Sequence, residues 1–219
     1  MTFSILTYDE KSGIYAGAAA TGSLCVGGWV LRGDIDSGLV ATQGTAPSSF
    51  WRDDALRLMH GGASAQSAID KVTRKDTGRG HRQMIALDKA GTTAGFTGDQ
   101  SIAFAADSCA PNLAVAGNML ASNDVLEAMK HAAARPFPSP AARMMAALNA
   151  ADQAGSDMRG LQSAALLILA PNAPPVDLRI DYSEAPLEAL AALLARVQTA
   201  PYADWLTQVP TRIDPQRAP

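Results

Sequence analysis

The first ten residues, MTFSILTYDE (residues 1–10), decide the fold class, because apolar and polar side chains alternate there with a period of two. Phe3 and Ile5 fall on one face of the implied strand; Thr2, Ser4, Leu6 and Tyr8 fall on the other. The turn DEKSG leads into a second strand over residues 14–20, and GLVATQ at residues 38–43 reads as a third.

Working outward, the apolar period switches repeatedly between two and three to four. A helix starts near Ser49, with Asp53 and Asp54 in its first turns and Gly61 or Gly62 past its end. A second spans residues 65–72, where Ala65, Ala68, Ile69 and Val72 make one apolar face. The hairpin RQMIALDKAGTTAGFTG turns at residues 88–91, and strands follow near 102–106 and 112–116. Two further helices cover residues 123–134 and 139–154, the second with Ser139 as N-cap, Pro140 as first helical residue and Gly155 as stop. SAALLILA at residues 163–170 does not alternate, so both of its faces should be covered. A strand at 177–182 and a helix at 186–197, with Leu187, Leu190, Leu194 and Val197 on one face, precede a Pro-rich tail.

Strands therefore alternate with helix pairs rather than with single crossover helices. That order predicts an α+β fold, a layered sandwich of antiparallel sheets, and not a doubly wound parallel sheet. A chain of 219 residues, 47% of them apolar, can bury one substantial core. The expected organisation is one domain over residues 1–198 and a tail over 199–219.

Composition excludes several partners. With 18 basic and 21 acidic residues scattered along the chain, net charge is −3, and no basic stripe for a phosphate backbone exists, so nucleic acid is not an expected partner. The apolar runs are too short to span a bilayer, and a basic segment followed by an apolar signal core is missing from the start, so the expectation is a soluble, cytoplasmic protein with no membrane partner. Cys25 and Cys109 belong to no CxxC pair and read as free, partly buried thiols. His60, His81 and His131 stand singly, so no metal site is expected.

Two familiar signatures fail. GSLCVGG at residues 22–28 begins like a phosphate loop but lacks the Lys and the following Ser or Thr, and reads as a flexible loop. GASAQ at residues 62–66 lacks the closing glycine of a nucleophile elbow and has no strand before it. No cofactor is expected.

Two features remain. In GSDMRGLQSAALLIL, Asp157, Arg159, Gln162 and Ser163 sit directly before the buried strand. They read either as a network satisfying buried backbone, the preferred reading, or as a substrate site in which Arg159 forks onto a carboxylate. The other feature is Thr2. If Met1 is removed, Thr2 carries a nucleophile and an amine base on one residue; if Met1 stays, it is a β-branched residue opening a strand.

The segments MTFSI, GLVATQ, RQMIALDKAGTTAGFTG, the pair Gly117–Asn118, DMRGLQSAALLIL and VDLRIDYS together resemble domain-of-unknown-function family 1028, a bacterial and archaeal family placed among proteins with an N-terminal-nucleophile (Ntn) hydrolase-like fold. The resemblance runs from Thr2 to about Leu194. It implies a four-layer αββα sandwich and an amidohydrolase acting on a small amide, N-acyl or carbamoyl compound. Thr2 would be the nucleophile after loss of Met1. Thr21, Gln43, Asn118 and the backbone around Gly22 would line the pocket or donate to the oxyanion, with Asp157 and Arg159 as further substrate-binding residues. A homodimer or larger homo-oligomer is expected. The alternative, from a different class, is a non-catalytic protein of the same fold that binds a small carboxylated or amide metabolite.

Overall fold

β1 (Thr2–Asp9) is buried on both faces, more than its alternation implies, because the second sheet covers the face that carries Ser4 and Leu6. It pairs antiparallel with β2 (Ile14–Thr21) through the turn at Asp9–Gly13, where the Asp9 carboxylate accepts from Ser12 Oγ and Lys11 N. The computed structural model describes residues 1–155 and 160–219. After β2 come a single helical turn, α1 (Val26–Trp29), then β3 (Leu31–Asp34) and β4 (Gly38–Gly44). Next are α2 (Ser49–His60), α3 (Ala65–Thr73), β5 (Arg82–Asp88) and β6 (Thr93–Thr97). The remainder is β7 (Ala106–Ala110), β8 (Leu113–Asn118), α4 (Asp124–Ala133), α5 (Pro140–Gln153), β9 (Ser163–Ala170), β10 (Ala173–Ile180), α6 (Pro186–Val197) and α7 (Tyr202–Leu206).

The strands form two antiparallel sheets, a six-stranded one ordered β10-β9-β2-β1-β8-β7 and a four-stranded one ordered β3-β4-β5-β6. Three apolar clusters hold the elements together. Leu6, Ala19, Leu39, Ile85, Leu87 and Leu167 pack between the sheets. Phe3, Ile5 and Ala18 on the far face of the six-stranded sheet meet Met129 of α4, Met144 and Leu148 of α5, and Leu190 of α6. Val40, Met84 and Ala86 on the far face of the other sheet meet Trp51 and Met59 of α2 and Ile69 of α3. SAALLILA is buried on both sides, as its lack of alternation predicts. Ser48 and Ser139 cap α2 and α5 by accepting from Trp51 N and Ala142 N.

Three local expectations need correction. The GSLCVGG segment is not a free loop. Gly27 and Gly28 form part of α1, where a Cβ on Gly27 would lie 2.6 Å from Arg179 Cγ and 2.9 Å from Ala165 Cβ, so only glycine lets the turn lie on β9 and β10. The edge strand β3, only four residues long, shows no strand period in the sequence. Its Gly33 makes the same allowance between sheets, since a Cβ there would come within 2.3 Å of Leu39 Cδ2. The strand expected near residues 102–106 lies instead at Ala106–Ala110, because Ile102 and Phe104 exchange backbone bonds with Met119 and Leu120 beyond the end of β8.

Residues 199–219 include α7 and fold back onto the chain: Arg212 pairs with Asp36 at 3.1 Å, and Ile213 N donates to Pro171 O. Both cysteines are free; Cys25 is half-buried and Cys109 exposed. Among the described residues no helix is long and apolar enough to cross a membrane.

Because Leu39 is 1% exposed between the sheets, Leu39→Ala should cost about 2–5 kcal/mol of unfolding free energy in urea titrations. Phe50→Ala, at a side chain 78% exposed, should stay within about 0.5 kcal/mol. Equal losses at the two sites would contradict this placement of the inner core.

Candidate functional site

At one end of the two sheets, where β1 begins and β2 and β4 finish, a cleft of about 350 Å³ opens to solvent. That size falls at the small end of the range for small-molecule pockets, about 300–1,000 Å³. Its polar lining comes from Thr2, Thr21, Ser23, Gln43 and Thr45, and its apolar walls from Leu24, Val26, Trp29, Val30 and Pro47.

Strand register brings the polar groups together. Thr2 lies opposite Thr21 on β2 and opposite Asn118 on β8. Thr2 Oγ1 and Thr21 Oγ1 are 3.0 Å apart, and Thr21 Oγ1 donates to the Met1 carbonyl. A hydroxyl has one proton, so Thr21 accepts the Thr2 proton while giving its own to Met1 O. The Thr2 oxygen thus has an immediate proton acceptor. The Met1 ammonium donates to Met119 Sδ at 3.3 Å.

Beneath Thr2 the sheets are joined by amides. Gln43 Nε2 donates to Thr2 O at 3.2 Å and to Gln83 Oε1 at 2.7 Å, and Gln43 Oε1 accepts from Ser4 Oγ at 2.8 Å. Gln83 Oε1 also accepts from Asn118 Nδ2 at 3.3 Å. Gln83 Nε2 faces three acceptors: Thr97 Oγ1 at 2.9 Å, Gly117 O at 2.9 Å and Ala106 O at 3.0 Å. Thr97 in turn donates to Asp107 Oδ1 at 2.5 Å. Burial pushes the Asp107 carboxyl above its ordinary value of 3.8, and the Thr97 bond only partly offsets that.

The loop above the cleft is pinned from below. Ser163 Oγ accepts from Val26 N at 3.1 Å and donates to Ser23 O at 2.7 Å. Gln162 N donates to Thr21 O, and Cys25 N donates to Asp181 O. Of that polar run, the Ser163 hydroxyl satisfies backbone groups and Gln162 bonds through its main-chain N–H.

Of the expected site residues, Thr2, Thr21 and Gln43 meet at the cleft. Asn118 neighbours Thr2, but its amide is turned to Gln83 and does not line the cleft. Asp157 and Arg159 lie outside the described residues. Sequence reading missed Ser23, Trp29, Thr45 and Gln83. For Gln83 a signal existed: once β4 and β5 are paired, Gln43 and Gln83 fall opposite each other, two amides facing across the pairing. Among the described residues no group of three or more His, Cys, Asp or Glu is arranged to hold a metal.

The raised Asp107 carboxyl has a sign-definite consequence. The folded state binds its proton more tightly than the unfolded chain, so this contribution is full below pH 3.8 and is lost as pH rises through the folded value. Asp107→Asn keeps an oxygen to accept from Thr97 and removes the charge. It should be more stable than the parent at pH 7 in urea titrations, with the difference closing below pH 3.8. A difference independent of pH would refute this reading of Asp107.

No functionally curated protein matches the chain. The crystal structure of a protein from Silicibacter pomeroyi, assigned to family model DUF1028, is similar at 45% sequence identity, covering 99% of this chain and 98% of that one with a TM-score of 0.94. Eukaryotic HslV from Trypanosoma brucei gives 10% identity over 78% of this chain and 99% of its own, with a TM-score of 0.48. Thiobacillus denitrificans BPH, in complex with epoxomicin, gives 16% identity over 84% and 100%, with a TM-score of 0.39. The model of a family of unknown function, DUF1028, matches residues 2–190, and with the Silicibacter structure it establishes that the chain belongs to that family.

Proposed function

We propose that the protein is an Ntn-type amidohydrolase in which Thr2, exposed by removal of Met1, cleaves a small amide, N-acyl or carbamoyl compound at the cleft. The observation that carries this is positional. Thr2 is the residue whose hydroxyl reaches the cleft and whose nitrogen becomes an amine when one residue is lost. Its small side chain suits removal of the preceding methionine.

In this reading the Thr2 Oγ attacks the substrate carbonyl carbon, and its proton passes to the Thr2 α-amine. A C–O bond forms, and the carbonyl π electrons move to an oxyanion. Collapse of that adduct breaks the C–N bond; the leaving amine takes the proton and departs, leaving an ester on Thr2. Water then attacks the ester, returning its proton through the same amine, and the carboxylic acid is released. With Met1 gone, the Thr21 hydroxyl no longer donates to its carbonyl and is free to orient the amine or the nucleophile. Gln43 has both amide protons committed, to Thr2 O and Gln83, so its part is to hold the strand in place. An α-amine titrates ordinarily near about 7.7–8.0, so turnover should rise with pH through that range.

The same reading includes a four-layer αββα arrangement, supported by three separate apolar clusters. It also includes a homo-oligomer in the cytoplasm. The exposed Tyr202–Trp205 aromatic pair on α7, with ring centroids 5.3 Å apart, supports the oligomer.

In a turnover screen over small N-acyl and carbamoyl amides, Thr2→Ala should lower kcat/KM by roughly 10³-fold or more without changing the unfolding transition, and Thr2→Ser should retain activity. Unchanged turnover in Thr2→Ala would reject Thr2 as the nucleophile. If the folded protein binds such amides and never turns them over, the non-catalytic reading replaces this one.

A further inference from the structure

The chemistry of the cleft walls narrows the substrate. Among the described residues, no side chain lining it carries a formal charge. The hydroxyls and the amide lie at the Thr2 end; the rest is aliphatic and aromatic surface from Leu24, Val26, Trp29, Val30 and Pro47.

Trp29 is the unusual member. Its side chain is 52% exposed at the cleft mouth, where a large apolar ring would ordinarily be covered. The backbone beneath it is fixed from several sides. Arg52, only 5% exposed, donates through Nη1 to Gly28 O at 2.7 Å and to Trp29 O at 3.3 Å. Thr42 Oγ1 also faces Trp29 O, and Thr42 N donates to the next carbonyl, that of Val30. A guanidinium is buried, therefore, to tie down the carbonyl ends of a one-turn helix whose tryptophan stays in solvent. With the backbone held this way only the two side-chain torsions of the ring are left to order, so a ligand that stacks on it loses little ordering entropy from the protein. Leu24, also 52% exposed, extends the apolar mouth, and Phe50, three residues beyond Pro47, stands on the first turn of α2.

We infer that the cleft selects amides bearing an apolar, uncharged and preferentially aromatic group that stacks on Trp29, while the amide itself lies among the hydroxyls near Thr2. The inference rests on the cleft being the substrate site, as in the hydrolase reading. A charged group on that ring would lose hydration against Trp29, Leu24 and Pro47, where the described residues of the cleft place no formal charge, whereas a neutral ring would gain contact area. Trp29 is then a specificity-determining residue.

The test is calorimetric titration of Thr2→Ala protein, which binds without consuming ligand, using N-benzylacetamide and its ring analogues bearing a 4-carboxylate or a 4-aminomethyl group. The neutral amide should bind at least about tenfold more tightly than either charged analogue. Trp29→Ala should weaken the neutral amide by about tenfold, the scale of an aromatic contact, and Trp29→Phe should restore most of that loss. Equal or tighter binding of a charged analogue, no binding of the neutral one, or an unchanged affinity in Trp29→Ala overturns the inference. The two readings fail separately. Neutral-amide binding to protein that shows no turnover removes the hydrolase and leaves the specificity intact; turnover of charged amides with tighter binding does the reverse.

Discussion

The Gln43 amide is the interaction on which the site depends. It sits on the four-stranded sheet, yet its two protons go to Thr2 O on β1 and to Gln83 Oε1, and its oxygen takes the Ser4 proton. It is 1% exposed, so each of these bonds replaces water that cannot enter, and an unmade one would cost about 1–3 kcal/mol. Around Leu6, Leu39 and Leu167 the contact between the sheets is apolar and indifferent to small slips. Here a planar amide accepts only one register, and that register places the start of β1 at the mouth of the cleft.

From that point the architecture reads as a way of holding a chain terminus still. β1 lies between β2 and β8, with helices on one face and the second sheet on the other. Thr21 and Asn118 flank Thr2 across the two pairings. Gln83 gathers the Asn118 amide, two strand-end carbonyls and Thr97, and the chain of bonds ends on the half-buried Asp107 carboxyl. Chain termini commonly fray. This one is packed to 5% exposure at Met1 and bonded on the residue that follows.

What could be read from the sequence was what local period and capping encode. The two faces of β1 follow from alternation, and Ser139–Pro140 announces α5 because an N-cap and a proline at the first helical position are local chemistry. Thr2 could be named because its hydroxyl directly follows the first methionine, whereas Thr21 and Gln43 come only from the family resemblance. What could not be read depends on contacts distant in sequence. Gly27 and Gly28 look like a flexible loop until Arg179 and Ala165 are brought against them. Trp29 looks like a stray aromatic until Arg52 fixes the turn below it. Gln83 has no role until β4 and β5 are paired, and Ile102 and Phe104 suggest a strand until Met119 and Leu120 take their backbone bonds.

The central claim is that Thr2 acts as an N-terminal nucleophile, and the intact mass of the protein expressed without a tag tests it most directly. The account predicts a chain beginning at Thr2, lighter than the encoded one by a single methionine residue. A mature, folded protein that retains Met1 would contradict it, because the Thr2 nitrogen would remain an amide and could not serve as the base.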